Sequence, residues 1–390
     1  MFDTIIIGSG PAGLSAAGIL KDGQNVLIID EYYHPGGRLL GQLYEEEKDV
    51  WWNGQEIADS LFGDVKEAVA FRPSTSVINI EKDAHFTIHT TRGTFESYNV
   101  IVATGAREKS FPLPGWDLPG VMTVGAAQVL TNFQRVAPGD RGVIIGMNPL
   151  SLVIALELGY ADIEVAKICL PPDNPLNEQS PMDAFETLLS LGGLAPSKFI
   201  ASASRFGAKL PASHKAAVKL FPKSGVNAMG LPISIREKVT RINGQEQVES
   251  ITVQQVDSKG RTLSKKSRTI PCDFVCISDG LAPLSEICSL LNMKHVYIES
   301  LGGYVPLHDS RMRTEIENLY VAGNITGIEN AKVAMLQGEL AASQILGDEA
   351  NSRTLLGKIN HERHYAKVKF HPELTRGKEQ LESLWYEYMK

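Results

Sequence analysis

The sequence predicts an α/β fold with two Rossmann-like three-layer domains. The main observation is a repeated pattern in which a short apolar strand leads into a glycine turn and then into an apolar helix. The pattern occurs at residues 3–20 and again, less regularly, at 143–159. A third stretch of strand, glycine turn and helix lies at 317–342. Strands that alternate with helices in this way are typical of parallel sheets covered by helices.

The size and composition of the chain indicate more than one domain. It has 390 residues, of which 43% are hydrophobic, and a formal net charge of -7. A chain of this length is longer than one that folds around a single ordinary hydrophobic core. The excess of acidic residues argues against nucleic acid and anionic membrane as partners. Four cysteines are too few for a disulfide framework, which favours the cytoplasm. We expect no membrane span, because no apolar run reaches about 18 residues, and no signal peptide, because a positive n-region is missing.

The first glycine turn has the features of a dinucleotide-binding motif. Gly8, Gly10 and Gly13 are spaced as G-x-G-x-x-G, and Pro11 and Ala12 complete the turn. The first glycine permits the tight turn, the second lets the backbone approach a pyrophosphate, and the third lets the helix pack on the strand. The helix N-terminus adds unpaired N–H groups for the phosphates.

An acidic residue follows the second strand. The segment "NVLIID" ends at Asp30, about 20 residues after the first glycine, which is where a ribose-binding acid belongs in such a site. Its neighbour Glu31 is the alternative. The motif therefore has the strand, the helix and the acid that a dinucleotide site requires.

Three further stretches make the sequence resemble a known superfamily: "HPGGR" at 34–38, "NVIVATGA" at 99–106 and "YVAGNITGIENAKVAM" at 320–335. Together with the first motif they resemble the two-dinucleotide-binding-domain flavoproteins, the pyridine nucleotide-disulfide oxidoreductase superfamily that includes glutathione and thioredoxin reductases. The resemblance implies that the N-terminal motif binds FAD. It also implies a discontinuous FAD domain at 1–108 and 296–390, around a second dinucleotide-binding-like domain at 109–295. It assigns further cofactor contacts to Gly37, Arg38, Val77, Ala103, Thr104, Gly105, Gly323, Asn324 and Ala331.

A narrower resemblance concerns the kind of flavoprotein. The stretches "ATGAREKSFPLPGWDLPGVMTVGAAQVL" and "GNITGIENAKVAMLQGELAA" resemble the FAD/NAD-type subunits of hydrogen cyanide synthase, opine oxidase, dye-linked proline dehydrogenase and the sarcosine oxidase alpha chain. This resemblance implies an oligomeric complex that oxidises the C–N bond of an amine or amino acid. Its partner would be a second flavoprotein subunit or a small iron–sulfur subunit. Asn324 stands where the family usually has Asp. This replacement keeps a hydrogen-bond acceptor and removes a negative charge.

The second glycine turn is degenerate. It keeps Gly146, but Asn148 and Ser151 replace the second and third glycines. An Asn side chain occupies the space that a pyrophosphate needs, although the turn itself survives because Asn tolerates positive φ. The spacing rule places the ribose acid at Ile168, where no acid stands. We therefore predict no ordinary NAD(P) binding there, and leave open a different nucleotide.

Neither the cysteines nor the histidines predict a second reactive centre. Cys272 and Cys276 read as two positions of one strand, roughly 13 Å apart and beyond disulfide reach, so we interpret both as core residues. No iron–sulfur ligand set is present in the sequence. His361, His364 and His371 have ligand-like spacing without a companion acid or cysteine, and we expect a solvated segment and no metal.

The C-terminal segment "KEQLESLWYEYMK" has an apolar stripe at helical spacing, formed by Leu381, Leu384, Trp385 and Tyr388. It reads either as a helix docked on its own domain or as a helix that binds a partner.

The prediction from sequence is an FAD-dependent oxidoreductase with no assigned catalytic residue. It is expected to be one subunit of an amino-acid or amine oxidising complex. Two alternatives stay open, namely a stand-alone NAD(P)H-dependent flavin reductase without the redox disulfide and a non-catalytic flavin-bearing assembly subunit.

Overall fold

The computed structural model describes residues 1–173, 179–191 and 211–390. Its strands are β1 (Phe2–Ile7), β2 (Val26–Ile29), β3 (Leu43–Glu47), β4 (Val50–Asn53), β5 (Ala70–Arg72), β6 (Val77–Lys82), β7 (Phe86–Thr90), β8 (Gly93–Val102), β9 (Ala106–Glu108), β10 (Val121–Thr123), β11 (Arg141–Ile145), β12 (Glu164–Leu170), β13 (Val226–Ala228), β14 (Leu231–Asn243), β15 (Ser250–Val256), β16 (Thr262–Pro271), β17 (Phe274–Ile277), β18 (Leu281–Pro283), β19 (His295–Ile298), β20 (Gly303–Pro306) and β21 (Leu319–Val321). Its helices are α1 (Pro11–Leu20), α2 (Gly54–Gly63), α3 (Val124–Asn132), α4 (Pro149–Tyr160), α5 (Pro181–Leu191), α6 (Pro211–Leu220), α7 (Glu286–Ser289), α8 (Ala331–Ile345), α9 (Glu349–Tyr365) and α10 (Leu374–Tyr388).

The described residues divide into two compact units. Unit 1 consists of Met1–Gln42, Trp51–Arg107 and Leu281–Lys390, and unit 2 of Leu43–Val50 and Glu108–Gly280. Unit 1 resumes at Leu281, before the expected residue 296. The reason is local packing, since the Leu284 N–H donates to the Gly105 carbonyl at 3.0 Å. Cys288 and Met293 also lie in the core beside β1 and β8.

Unit 1 contains a mixed sheet with the strand order β5-β2-β1-β8-β7-β6, and β21 also pairs with β8. The strands β5, β2, β1, β8 and β21 are parallel, whereas β6 and β7 continue the sheet in antiparallel fashion. β8 is long enough to pair with both the antiparallel and the parallel part of the sheet: Gly93 faces Thr90 of β7, while Val102 faces Ile7 of β1. The segments "STSVINI", "HFTIHTT" and "NVIVATG", which are rich in β-branched residues, contribute to β6, β7 and β8.

The two faces of the unit 1 sheet carry separate cores. Successive side chains of a strand point to opposite faces, so Ile6 packs with α1, α8 and α9, whereas Ile5 and Ile7 pack with β6, β7 and the segment around Cys288. The contact between α1 and α8 is close, because a Cβ at Gly338 would overlap the carbonyl of Ala12. This packing brings the late glycine turn, which precedes α8, beside the first one.

Unit 2 is built on a sheet with the strand order β10-β17-β11-β12-β14-β15-β16, and β13 pairs with β14. The strands from β10 to β14 in this order are parallel, and β14, β15 and β16 are antiparallel. The strands β14 and β15 form an antiparallel pair in which Glu237 faces Gln255 and Asn243 faces Ser250. The α/β fold class is therefore as predicted in both units.

One detail of the predicted strand "CDFVC" is wrong. Only Cys276 lies in β17, whereas Cys272 precedes it. The chain bends at Asp273, whose carboxylate accepts the backbone N–H groups of Asp140 and Arg141, both at 3.0 Å. Both cysteines are buried and free, as the core interpretation requires.

The C-terminal helix α10 is docked on unit 1. Leu381 and Trp385 are buried in a core with Ile298 and Leu301, while Tyr388 is exposed. The structure therefore supports the docked alternative for the apolar stripe. Within residues 1–173, 179–191 and 211–390, no helix has the length and apolar character to cross a membrane.

Candidate cofactor site

The first glycine turn connects β1 to α1 and depends on the absence of side chains. Gly8 has a φ of 107°, and a Cβ there would overlap the carbonyl oxygen of Ala103. A Cβ at Gly13 would likewise overlap the carbonyl of Gly8. At Gly10, by contrast, an added Cβ meets no described atom within 4 Å. The turn is therefore closed on its protein side and open beside Gly10.

The N-terminus of α1 has no side chain capping it. Gly10 is the N-cap residue with φ −73° and ψ −175°, Pro11 follows, and no side chain accepts the helix N–H groups at the cap. The first N–H groups of a helix lack partners within the helix and carry partial positive charge. An open helix end beside a bare glycine is suited to an anionic phosphate group.

The segment with Gly37 and Arg38 lies against this open end. A Cβ at Gly37 would stand 3.0 Å from the Cα of Gly10, and the N–H of Gly36 donates to the carbonyl of Ser9 at 2.8 Å. The Arg38 Nε donates to the Ala106 carbonyl at 3.1 Å. The "HPGGR" segment is thereby tied to the first glycine turn, through Ser9, and to the segment after β8, through Ala106.

Asp30 lies at the end of β2 and holds the first turn. Its Oδ2 accepts the backbone N–H and the hydroxyl of Ser9, each at 2.6 Å, and its Oδ1 accepts the Tyr32 N–H at 2.8 Å. An ionised carboxylate has about four acceptor positions, so roughly one stays available for a ribose hydroxyl. The neighbouring Glu31 is exposed.

The strand β8 brings the predicted residues Ala103, Thr104 and Gly105, which follow it, to the first glycine turn. The Ala103 N–H donates to the Ile7 carbonyl at 2.8 Å. The Thr104 hydroxyl donates to the Leu284 carbonyl at 2.6 Å, so it orients the chain that re-enters unit 1. Gly105 follows with a φ of 75°.

The late turn at Gly323–Thr326 meets α1 directly. Gly323 has a φ of 81°, and a Cβ on it would stand 3.0 Å from the Cβ of Ala12. Its N–H is occupied by the Oε1 of Gln337 at 2.9 Å. The side chain of Asn324 accepts the Glu329 N–H through Oδ1 at 3.1 Å, and Ala331 is the first residue of α8.

Val77 is placed farther along the same edge. It begins β6 opposite Thr90, and the preceding segment is tied to β2 because the Thr75 N–H donates to the Asp30 carbonyl at 2.8 Å. The structure thus brings Asp30, Gly37, Ala103 and Gly323 together around the start of α1 and places Val77 on the strand edge next to Asp30.

The residues present fit a dinucleotide with a pyrophosphate. The turn is free of side chains where phosphate must approach, the helix end is uncapped, and a guanidinium lies on an adjoining segment. At Gly8, Gly13 and Gly323 the protein's own atoms fill the place of a side chain, so these glycines let the backbone segments approach each other closely.

The second glycine turn, in unit 2, has the opposite character. Asn148 is the N-cap of α4: its Oδ1 accepts the Ser151 N–H at 3.1 Å, while the Ser151 hydroxyl oxygen accepts the Asn148 N–H at 3.0 Å. The Met147 N–H donates to the Gln179 Oε1 at 2.8 Å. The Asn148 amide nitrogen also donates to the Ser278 hydroxyl at 2.9 Å. The donors that a pyrophosphate would use are therefore engaged by the protein's own side chains.

The position at which the spacing rule expects a second ribose-binding acid is not accessible to a ligand. Ile168 is fully buried inside β12, which ends at Leu170. The residues directly after the strand are Pro171 and Pro172, and Asp173 is ion-paired with Lys238. The spacing rule thus points into the strand, and within the described residues 171–173 that follow it, the carboxylate of Asp173 is already ion-paired.

The thiols are buried and weakly acidic. Burial raises the pKa of Cys169 and of Cys272 to about 12, and it raises the pKa of Cys276 and of Cys288 still further. A thiol must ionise to attack a disulfide. None of the four cysteines is therefore prepared for disulfide exchange.

Residues 2–338 match the family described as pyridine nucleotide-disulphide oxidoreductase. The chain belongs to this family, and it is an FAD-dependent oxidoreductase.

Among its relatives is an opine oxidase subunit from Agrobacterium tumefaciens (strain Ach5), which is 26% identical over 399 residues, covering 98% of this chain and 72% of that protein. Hydrogen cyanide synthase subunit HcnB of Pseudomonas protegens is 24% identical over 381 residues, covering 93% of this chain and 75% of that protein. The solved L-proline dehydrogenase from P. horikoshii has the same fold with a TM-score of 0.65 at 20% identity, and the match covers 92% of this chain but only 58% of that chain. Thioredoxin reductase of T. acidophilum gives a TM-score of 0.61 at 20% identity, covering 90% of this chain and 99% of that chain.

Sequence reasoning missed several residues that hold the site together. They are Ser9, which binds Asp30, and the buried polar residues Thr326, Glu329 and Gln337 behind the late turn. A signal was present in the segment "NITGIENAKVAMLQ", where polar residues interrupt an otherwise apolar stretch. Their partners are distant in sequence, so the pattern alone does not reveal their roles.

Proposed function

We propose that this chain is the FAD-bearing subunit of a complex that oxidises the C–N bond of an amine or amino acid. Unit 1 is the proposed FAD domain. The residues that would hold the cofactor are Gly8, Gly10, Pro11, Ala12, Gly13, Asp30, Glu31, Gly37, Arg38, Val77, Ala103, Thr104, Gly105, Gly323, Asn324 and Ala331.

The observation that carries the proposal is the self-capped helix α4 of unit 2. Because Asn148, Ser151 and Gln179 occupy the N–H groups at its start, this turn is poorly suited to a nicotinamide dinucleotide. This argues against NAD(P)H as the electron donor and supports an organic substrate as the source of electrons for the flavin. We assign unit 2 as a dinucleotide-type domain retained without NAD(P).

The relatives support the choice of substrate class. Their names include opine oxidase, hydrogen cyanide synthase and sarcosine oxidase, and each of these matches is to one named subunit of the enzyme. We extend this organisation to the present chain and propose an oligomeric assembly with a second flavoprotein or a small iron–sulfur subunit. We also propose the cytoplasm as its compartment, since all four cysteines are free.

Bound FAD would supply the two-electron acceptor chemistry. The residues of this chain would bind and orient it: the open end of α1 beside Gly10 would hold the phosphates, Asp30 would orient a ribose, and the Gly323–Thr326 turn would contact the flavin side. No base is assigned, because no described side chain can be placed against a substrate.

The test is anaerobic reduction of the FAD-loaded chain by proline, sarcosine or an opine, with the chain alone and with co-expressed products of adjacent genes. We expect flavin bleaching at useful rates only with the partner. Turnover of about 1 s⁻¹ or more by the isolated chain would contradict the proposed need for a partner. Rapid bleaching by NADH or NADPH would favour the stand-alone reductase, and a partnered complex that stays inert to amines would favour a non-catalytic assembly role.

A further inference from the structure

A largely buried lysine of the C-terminal helix lies directly behind the late turn. The Nζ of Lys378, on α10, donates to the backbone carbonyl of Thr326 at 2.9 Å and contacts its hydroxyl at 3.2 Å. Thr326 is fully buried, and the Lys378 side chain is 15% exposed. Burial lowers the pKa of Lys378 to about 8, with Glu329 opposing that effect. A lysine placed this deeply requires compensating acceptors.

The compensating charge comes from Glu329, which has two cationic partners on separate helices. Its Oε1 is 3.2 Å from Lys378 Nζ. The guanidinium of Arg363, on α9, donates to both carboxylate oxygens at 2.6 and 2.8 Å. Although burial acts in the opposite direction, Lys378 and Arg363 hold the pKa of Glu329 at about 2. The carboxylate is therefore ionised, and salt screens such a buried cluster only weakly.

This cluster is connected to the residues proposed to face the flavin. The backbone N–H of Glu329 donates to Asn324 Oδ1 at 3.1 Å. The Gln337 side chain accepts the Gly323 N–H at 2.9 Å and approaches Glu329 Oε1 at 3.4 Å. The turn from Gly323 to Glu329 is thus held from behind by α9 and α10.

Further titratable groups lie near this cluster, among them Lys369, which lines the same cavity as Glu329 and Arg363. His308 is buried, and its Nδ1 lies 2.6 Å from the Pro306 carbonyl oxygen. Burial lowers its pKa to about 3, and the Lys378 charge adds to the effect, so His308 is neutral. Glu362 accepts a hydrogen bond from the Asn330 amide at 3.0 Å on the side of α9.

We propose that Lys378 and Glu329 are positioning residues of the cofactor site. They orient the segment 323–330, which contains the late turn, and they set the electrostatic potential at the flavin. This inference rests on the proposed assignment of that turn to the flavin. Positive charge favours the reduced flavin because reduction adds electrons to it. Lys378 therefore raises the midpoint potential of the flavin, and Glu329 lowers it.

The experiment compares Lys378→Met, Glu329→Gln and the control Arg376→Met, each as the full chain loaded with FAD at pH 7. Arg376 is on the same helix, but its side chain is 79% exposed and its ion pair, with Glu373 at 3.4 Å, lies on the surface. The measurements are the flavin midpoint potential and the FAD dissociation constant of the reconstituted apoprotein.

We expect the midpoint potential to fall in Lys378→Met and to rise in Glu329→Gln. Loss of the turn contacts should weaken FAD binding about tenfold in both, whereas Arg376→Met should stay within about twofold because exposed ion pairs contribute little. A purely structural role would weaken binding without shifting the potential in opposite directions, and that result would overturn the inference.

Should Lys378→Met fail to fold, Lys378→Gln replaces it, since the amide can still donate to the Thr326 carbonyl while the charge is removed. Wild-type protein that takes up no FAD would overturn the proposed function as well. Wild-type protein that binds FAD, with variants that match Arg376→Met, would overturn only the role of Lys378 and Glu329.

Discussion

Asn148 and Ser151 cap each other across the first turn of α4. The Asn148 side chain accepts the Ser151 N–H at 3.1 Å, and the Ser151 side chain accepts the Asn148 N–H at 3.0 Å. The helix α1, at the corresponding place in unit 1, begins at Pro11, and its N-cap residue Gly10 provides no such side-chain cap. Two glycine turns with similar strands and helices therefore differ in what their helix ends can bind.

The open space beside Gly10 predicts a selective loss of FAD in Gly10→Ala. The backbone of Gly10 has a φ of −73°, which alanine adopts without strain, so the apoprotein should fold. The added Cβ fills the approach to the pyrophosphate, and we expect FAD binding to weaken about tenfold or more. Gly10→Val should abolish it.

The matched control is Gly18→Ala, in the same helix, where an added Cβ also meets no described atom within 4 Å. This variant should bind FAD as the wild type does and remain yellow after purification. Equal FAD affinity in the two alanine variants, measured by reconstitution, would refute the assignment of Gly10.

The self-capped α4 predicts slow or absent reduction of the flavin by NADH and NADPH. Asn148→Gly removes the cap and the hydrogen bond to Ser278, at a cost of less than about 1 kcal/mol in the free energy of unfolding. We expect only a small gain in nucleotide affinity, because the end of β12 still offers Pro171 and Pro172 in place of an acid. Stopped-flow bleaching with micromolar NAD(P)H on the wild type is the check, and fast bleaching would disprove the prediction.

The carboxyl group of Glu157 predicts an unusual dependence of stability on pH. Burial between α3 and α4 raises its pKa to about 8, against hydrogen bonds from Gln128 and Asn132, both at 2.8 Å. The folded protein keeps a proton that the unfolded chain loses above about pH 4.5. This contribution to stability is thus fully present at low pH and is lost as the pH rises towards 8.

Glu157→Gln keeps the size of the side chain and removes the titration. We expect it to raise the free energy of unfolding at pH 8 by on the order of 1 to 3 kcal/mol and to change it little at pH 5. Glu164→Gln, which alters an exposed pair with Arg141, is the control. Thermal unfolding midpoints of both variants across this pH range decide the matter, and parallel curves would show that Glu157 is charged in the folded state.

The buried cysteines predict a native protein that resists thiol reagents. All four are free and buried, and burial raises each pKa well above that of an exposed thiol. We expect negligible reaction with Ellman's reagent in the native state and reaction of all four after unfolding. Arg376→Cys adds an exposed thiol that should react at once, which verifies the assay. Fast labelling of a native cysteine would indicate an accessible reactive thiol.

Much of the fold could be predicted because its signals are local. A strand that turns tightly into a helix requires glycines at the positions of Gly8 and Gly13. Their spacing is visible in the sequence. The alternation of apolar strands and helices, including β14 and β15, follows the same kind of local periodicity. The replacement of the second glycine by Asn148 is equally visible, and it indicates an altered second turn.

The tertiary structure decided which partners these residues have. Asn148 is held by Ser278, and Glu329 by Arg363 and Lys378. Such contacts join residues far apart in the chain, so they depend on how helices and strands pack and not on any local spacing. The docking of α10 was ambiguous for the same reason, because an apolar stripe looks alike whether its own domain or a partner covers it. The sequence by itself determined the two turns, their glycines and the residues of the local cap at Asn148 and Ser151; packing determined the distant partners, Gln179 and Ser278, that also hold the second turn.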